Sequence, residues 1–160
     1  TQGVSSAASD VYKRQTENNG TRLHGFSPDG KINPKPALAN ASLAPDTCSP
    51  VIVGDRLFAT AYGEMYCLDL KDNLKTVWVA EDDMFYDHSN VIGGNGRVLV
   101  WTQSGDLLLV DGAANKFEPL RRLRPFGDGK VDSMSHPAIV GNRLYLRGPS
   151  ELACFELSRG

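Results

Sequence analysis

PVIVGDRLFATAYGEMYCLDL, residues 50 to 70, returns without a gap as PAIVGNRLYLRGPSELACFEL, residues 137 to 157, a constant 87 positions later. Nine of the 21 aligned positions are identical: Pro50/Pro137, Ile52/Ile139, Val53/Val140, Gly54/Gly141, Arg56/Arg143, Leu57/Leu144, Glu64/Glu151, Cys67/Cys154 and Leu70/Leu157. Most of the rest are conservative, such as Phe58/Tyr145 and Asp69/Glu156. The chain is built from repeats.

An interval of 87 is too long for one unit of the common repeat families, and a weaker copy lies between. In VIGGNGRVLVWTQSGDLLLVD, Val91 to Asp111, Arg97 falls 41 after Arg56 and 46 before Arg143, while Gly105 and Asp111 fall 42 after Gly63 and Asp69. Upstream, Leu23, Phe26 and Ser27 precede Met65, Leu68 and Asp69 by the same 42. A period of 41 to 46 residues, read as strands, is the length of one four-stranded propeller blade. The expected fold is therefore all-β, a partial β-propeller of about three to three and a half four-stranded blades.

Each copy reads as short strands punctuated by turns. In the second copy these are Pro50 to Val53, a turn at Gly54-Asp55, Arg56 to Ala61, a turn at Tyr62-Gly63, Met65 to Leu70, a turn at Lys71 to Asn73, and Lys75 to Ala80. The third has an inner strand Asn90 to Ile92, a longer turn Gly93 to Gly96, strands Arg97 to Thr102 and Asp106 to Asp111, and an outer strand Phe117 to Arg122. The fourth has Pro137 to Val140, Arg143 to Leu146 and Leu152 to Leu157, with no outer strand. Propellers whose N-terminus supplies the last strand end in this way. Residues 20 to 34 read as a hairpin around Ser27-Pro28-Asp29-Gly30, and Lys35 to Thr47 as a crossing loop. The blades are thus expected at about 20–36, 48–80, 88–124 and 135–158. No window holds a helical apolar period over three turns, which excludes helical solenoids.

Residues 4 to 15, VSSAASDVYKRQ, resemble translated adapter sequence and match nothing in the repeat. Residues 1–19 are accordingly expected to be a non-native or disordered extension, and 20–160 a propeller fragment. Three to three and a half blades fall short of the 4 to 8 that close a ring, so an exposed strand edge and self-association are expected.

Composition excludes several function classes. Of the 160 residues 41% are hydrophobic and 22% charged, the formal net charge is -2, and the only basic cluster is Arg121, Arg122 and Arg124. That is no footprint for nucleic acid. The longest aliphatic stretch is Leu107 to Val110, far below the roughly 18 residues of a membrane-spanning helix. Cys48, Cys67 and Cys154 form no C-x-x-C pair, and Cys67 and Cys154 sit inside apolar strand patterns, as small buried hydrophobes do.

At the third and fourth strands the sequence resembles the repeat of the PQQ-binding-like quinoprotein propellers, approximately Ala-x-Asp-x-x-x-Gly-Lys-x-x-Trp. Cys67-Leu68-Asp69 stands at its first three positions, Asp72-Asn73 at the turn, Lys75 at the lysine and Trp78 at the tryptophan, with one residue inserted. The third copy keeps Asp111 but has Phe117 near the Trp position. The resemblance implies that Trp78 docks on the neighbouring blade and Asp69 braces its turn. It covers nearly all of residues 20 to 160 and leans to the BamB-like scaffolds, which implies a bacterial, non-catalytic protein binding a protein or peptide partner in the periplasm or cell envelope. The alternative it implies is part of a PQQ-dependent alcohol or sugar dehydrogenase, with PQQ and Ca²⁺ at the propeller axis. The adjacent cysteine pair common in those enzymes does not occur here. The Gly-His and Trp-Asp dipeptides of WD40 repeats are absent, and a diglycine of the kelch kind occurs only at Gly93-Gly94.

In a propeller the loops from outer strand to next inner strand, and from second to third strand, share the face where partners bind. Candidate loop-face residues are therefore Asp82, Asp83, Tyr86, Asp87 and His88 before the third copy, and Asp132 and His136 before the fourth. The carboxylates and imidazole are possible cation donors, but their spacing matches no defined metal loop. His88 and His136 stand at the entrances of inner strands, near where a central channel opens. No nucleophile has a visible base, G-x-S-x-G is absent, and Gly93-Gly94-Asn95-Gly96 lacks the strand-to-helix context of a phosphate loop. Gly54, Arg56, Asp69, Trp78, Arg97, Asp111, Gly141 and Arg143 recur or match the repeat motif and are read as structural, the arginines pairing with acids on adjacent strands. No catalytic residue is assigned.

Overall fold

A computed structural model describes residues 20–45 and 47–157. The adapter-like stretch and the extension expected at 1–19 lie outside the described residues. The described residues run through thirteen strands: β1 (Thr21–Leu23), β2 (Leu38–Asn40), β3 (Val51–Val53), β4 (Arg56–Ala61), β5 (Glu64–Asp69), β6 (Lys75–Glu81), β7 (Ser89–Gly94), β8 (Arg97–Thr102), β9 (Leu107–Asp111), β10 (Pro119–Leu123), β11 (Ala138–Val140), β12 (Arg143–Arg147) and β13 (Leu152–Glu156). They form four antiparallel sheets, β1-β2, β3-β4-β5-β6, β7-β8-β9-β10 and β11-β12-β13, in which sequence neighbours are always sheet neighbours. The fold is a partial β-propeller, with two complete four-stranded blades between a two-stranded and a three-stranded sheet.

Turn chemistry sets the registers. Tyr62 (φ 53°) with Gly63 (φ 84°), and Asn95 (φ 49°) with Gly96 (φ 72°), are two-residue turns with both φ positive, the form whose twist matches paired strands. Asp69 Oδ1 accepts the amides of Lys71 (2.7 Å) and Asp72 (3.3 Å), which folds the chain back toward β6. Asp111 Oδ1 accepts the amide of Ala113 at 2.9 Å in the same role.

The blades are locked face to face. Val53 projects from the β3-β4-β5-β6 sheet into a notch where the next sheet has glycine: a Cβ on Gly93 would lie 2.7 Å from Val53 Cγ2, and one on Gly112 2.6 Å from Val53 Cγ1. Beside it, the Ala114 carbonyl accepts from Trp78 Nε1 at 3.0 Å and from Arg56 Nη1, while Arg56 Nη2 donates to Asn115 Oδ1 at 2.6 Å. Trp78 lies between Phe58 (ring centroids 6.0 Å) and Phe117 (5.7 Å), and Phe117 meets Phe85 edge-on. Phe58 and Met65 are fully enclosed on the face toward this seam, and Leu57 and Leu68 on the opposite face of the same sheet, each such side chain stabilising the fold by roughly 1.5–3 kcal/mol. A second core of Trp101, Leu107, Val131, Leu144 and Leu146 joins the third and fourth sheets. Burial pushes the Tyr66 phenol up to about 12, with help from Glu64, whose carboxylate accepts its proton bond, so Tyr66 is a neutral donor at physiological pH.

Five expectations need correction. The segment Lys35 to Thr47, read as a loop, contains β2, because the arms of the Ser27–Gly30 hairpin run on past the Phe26–Ile32 bridge until Thr21 pairs with Asn40. The turn expected over Gly93 to Gly96 is only Asn95-Gly96; Gly93 and Gly94 belong to β7, where they pair with Val98 and Arg97. The outer strand of the third copy is Pro119–Leu123 rather than Phe117 to Arg122, because Phe117 leaves the sheet to fill the aromatic seam. Cys67 is buried but Cys154 is exposed, since among the described residues no sheet covers the face of β12 and β13 that carries it. Of the three repeated arginines, Arg97 pairs with Asp111 across the ladder (3.3 Å), whereas Arg56 reaches the next blade.

The notch makes a specific prediction. Gly93→Ala keeps an ordinary backbone conformation and overpacks Val53, so urea unfolding should show a loss of about 1–3 kcal/mol. In the Val53→Ala background the same substitution should cost clearly less. Additive losses would show that the two residues do not share a space.

Candidate functional site: the loop belt

The loops after β6 and β10 lie across the turns between second and third strands and are tied to them. Asp82 N donates to Gly63 O (3.1 Å) and Gly63 N to Phe85 O (3.3 Å); one blade on, Gln103 N donates to His88 O (2.8 Å) and Ser133 N to Gln103 O (3.2 Å). Glycine admits the roof in both copies. A Cβ on Gly63 would meet Tyr86 Cζ at 2.8 Å, and one on Gly105 would meet Val131 Cβ at 2.6 Å. The two loop classes therefore form one continuous belt on one face.

Asp82 caps a single 3₁₀ turn, Asp83–Phe85, by accepting the Met84 amide at 3.2 Å. Its other oxygen lies 3.5 Å from Arg122 Nη1, and Arg122 Nε donates to Asp106 Oδ1 at 3.1 Å. The Asp106 carboxylate, almost wholly buried, also accepts from Ser104 Oγ at 3.2 Å, while its amide donates to Thr102 Oγ1 at 3.0 Å. Arg122 thus clamps the third blade's turn to the preceding loop. Sequence reasoning missed Arg122 because it does not recur at the repeat interval, and passed over Asp106 although it stands 42 after Glu64, at the acid position that Glu151 also holds.

Asp83 and Asp87 are exposed, and Tyr86 covers Gly63 with 62% of its surface still open. His88 is half-buried; its backbone N–H donates to Gln103 Oε1 (3.2 Å), and the Gln103 amide donates to Asp132 Oδ1 (2.7 Å). Gln103 therefore joins two of the sequence-derived residues, a connection that no motif announces. His88 Nε2 is buried without a hydrogen-bond partner. His136 stands apart from this chain of bonds, its Nδ1 3.0 Å from its neighbour's carbonyl at Pro137. Between residues 132–135 and 147–149 lies an open groove of about 340 Å³, with Asp132 and Met134 on one wall and Arg147 on the other. Met134 is 64% exposed and Arg147 makes no ion pair among the described residues.

No group of three or more His, Cys, Asp or Glu converges on a metal position among the described residues. Of the belt's carboxylates, Asp82, Asp106 and Asp132 are engaged by a cap, an arginine and a glutamine, whereas Asp83 and Asp87 are exposed. Cys67 is no nucleophile either, because burial pushes its thiol up to about 11.

No protein-family model matches the chain, and no characterised protein matches it by sequence. Solved structures do. BamB from Moraxella catarrhalis is similar over 87% of this chain and 43% of its own, at a TM-score of 0.55 and 17% identity. The computationally designed protein Ika8 is similar over 88% of this chain and 41% of its own, at 0.59 and 9% identity. The quinohemoprotein alcohol dehydrogenase ADHIIG from Pseudomonas putida HK5 is similar over 71% of this chain and 19% of its own, at 0.54 and 13% identity. The shared property is the propeller fold. The chain spans less than half the length of each of these proteins.

The clamp is testable by substitution. Arg122→Ala strands the enclosed Asp106 carboxylate and should lower stability by about 1–3 kcal/mol in urea unfolding. Lys75→Ala, which removes an exposed pair with Asp72 (3.4 Å), should change it by less than about 0.5 kcal/mol. Equal effects would mean that Asp106 does not depend on Arg122.

Proposed function

We propose that this chain is part of a non-catalytic, BamB-like propeller scaffold of the bacterial cell envelope or periplasm that binds a protein or peptide partner through the loop belt. The observation that carries this reading is the exposure of Tyr86 and Met134, two large side chains with apolar bodies, on loops whose backbone is pinned to the turns beneath. A pre-ordered backbone lowers the entropic cost of binding, and exposed aromatic and methionine side chains are typical anchors at interfaces. The exposed acids Asp83 and Asp87 share the loop of Tyr86, Asp132 shares the groove of Met134, and all three favour a basic or polar rim on the partner. Among the described residues no helix is long and apolar enough to cross a membrane.

The likeness to a quinohemoprotein alcohol dehydrogenase supports the second reading, part of a PQQ-dependent alcohol or sugar dehydrogenase. The two readings separate in one pair of assays. A peptide-library screen should yield binders that lose at least tenfold in affinity with Tyr86→Ala/Met134→Ala and keep it with Lys116→Ala, on the far side of the third blade. Incubation with PQQ and Ca²⁺ should give no dye-linked alcohol oxidation. Binders indifferent to the loop substitutions, or oxidation of alcohol, would overturn the scaffold reading.

A further inference from the structure

The 87-residue repeat places the same side chains on the same sheet face twice, and only one of those faces is covered. In the second sheet Val53, Arg56, Phe58, Met65 and Cys67 share the face that meets the third sheet. Their counterparts in the last sheet are Val140, Arg143, Tyr145, Leu152 and Cys154, in matching register: Val140 pairs with Arg143 as Val53 does with Arg56, and Tyr145 with Cys154 as Phe58 does with Cys67. Val53 is 7% exposed and Val140 65%; Met65 is fully buried and Leu152 69% exposed. Arg56 ends on the carbonyl of Ala114, whereas Arg143 has no hydrogen-bond or ion-pair partner among the described residues.

The covered face shows what fits the open one. Val53 needs glycine opposite it, and Arg56 needs a turn carbonyl beyond the third strand. Within this chain the repeat positions equivalent to Gly112 are Pro28, Leu70 and Leu157. Each carries a side chain where Gly112 leaves 2.6 Å to a valine methyl. Among the described residues the one sheet that offers the notch, β7 to β10, already holds Val53. A second copy of the chain therefore has no free receptor for Val140.

We propose that the face carrying Val140, Arg143, Tyr145, Leu152 and Cys154 is a docking surface for a further β-blade of this repeat type, one with glycine opposite Val140 and an open turn carbonyl opposite Arg143. An outer strand along the edge of β13, as β6 lies along β5, completes the seat.

The repeat supplies the probe. Because Leu157 is equivalent to Leu70, residues 1–157 followed directly by a second copy of residues 71–126 reproduce the natural junction and add an outer strand and a notched sheet. Cys154 is the reporter, read residue by residue by mass spectrometry after labelling with a thiol reagent. In the 160-residue chain it should label at the rate of a free thiol. In the extended chain its labelling should slow at least 100-fold, toward that of Cys67, and Gly→Val at the added copy of Gly112 should restore fast labelling. Val140→Asp should leave the urea midpoint of the 160-residue chain unchanged and lower that of the extended chain. Unchanged labelling of Cys154 in the extended chain would overturn the proposal, as would fast labelling of Cys67 there, which would show that the blade does not fit. Protection of Cys154 in the unextended chain at high protein concentration would also overturn it, by showing that a second copy is the occupant.

Discussion

The seam between the second and third sheets, the two complete blades, depends on one steric condition, that a valine on one sheet meets glycine on the next. Two β-sheets with filled faces pack about 10 Å apart, and Val53 over Gly93 and Gly112 lets the inner ends of the second and third sheets approach more closely. That approach brings the Ala114 carbonyl within reach of both Arg56 and Trp78. The aromatic seam of Phe58, Trp78, Phe117 and Phe85 closes behind it. A side chain in the notch would push the carbonyl away and open the seam at once.

The loop belt follows from the same stacking. With successive sheets held face to face, the loop leaving one blade crosses the turn of that blade on its way to the next, and glycine at 63 and 105 lets it lie flat. Within the belt Asp82 caps a turn, Gln103 bridges His88 to Asp132, and Arg122 neutralises Asp106. Tyr86, Met134, Asp83 and Asp87 stay exposed, and Arg147 faces Met134 across the groove.

The strands and their order were legible in the sequence because period-2 patterns and Gly-containing turns recur at a fixed interval. Arg97 to Thr102 is found at the bounds read from sequence alone. Boundaries shifted where tertiary packing outweighed local pattern: Phe117 left its strand for the aromatic seam, Gly93 and Gly94 joined β7 under Val53, and β2 formed in a Pro- and Ala-rich stretch because β1 offered it an edge. The candidate site was legible only as a face. Its loops could be located by position in the repeat, but Gln103, Asp106 and Arg122 act through partners 15 to 40 residues away, and pairings of that kind leave no local signature. The burial of Cys154 failed as an inference for a related reason: a repeat position is buried only when the next blade is present.

Native-state hydrogen exchange of the 160-residue chain tests the account most directly, because it reports how protection is distributed along the stack. If the blade-to-blade notch carries the fold, the amides of β4 and β5, enclosed by sheets on both faces, should exchange only through global unfolding. Those of β12 and β13, covered on one face, should exchange through smaller openings and at least tenfold faster. Protection of β13 equal to that of β5, or uniform protection across all sheets, would contradict it.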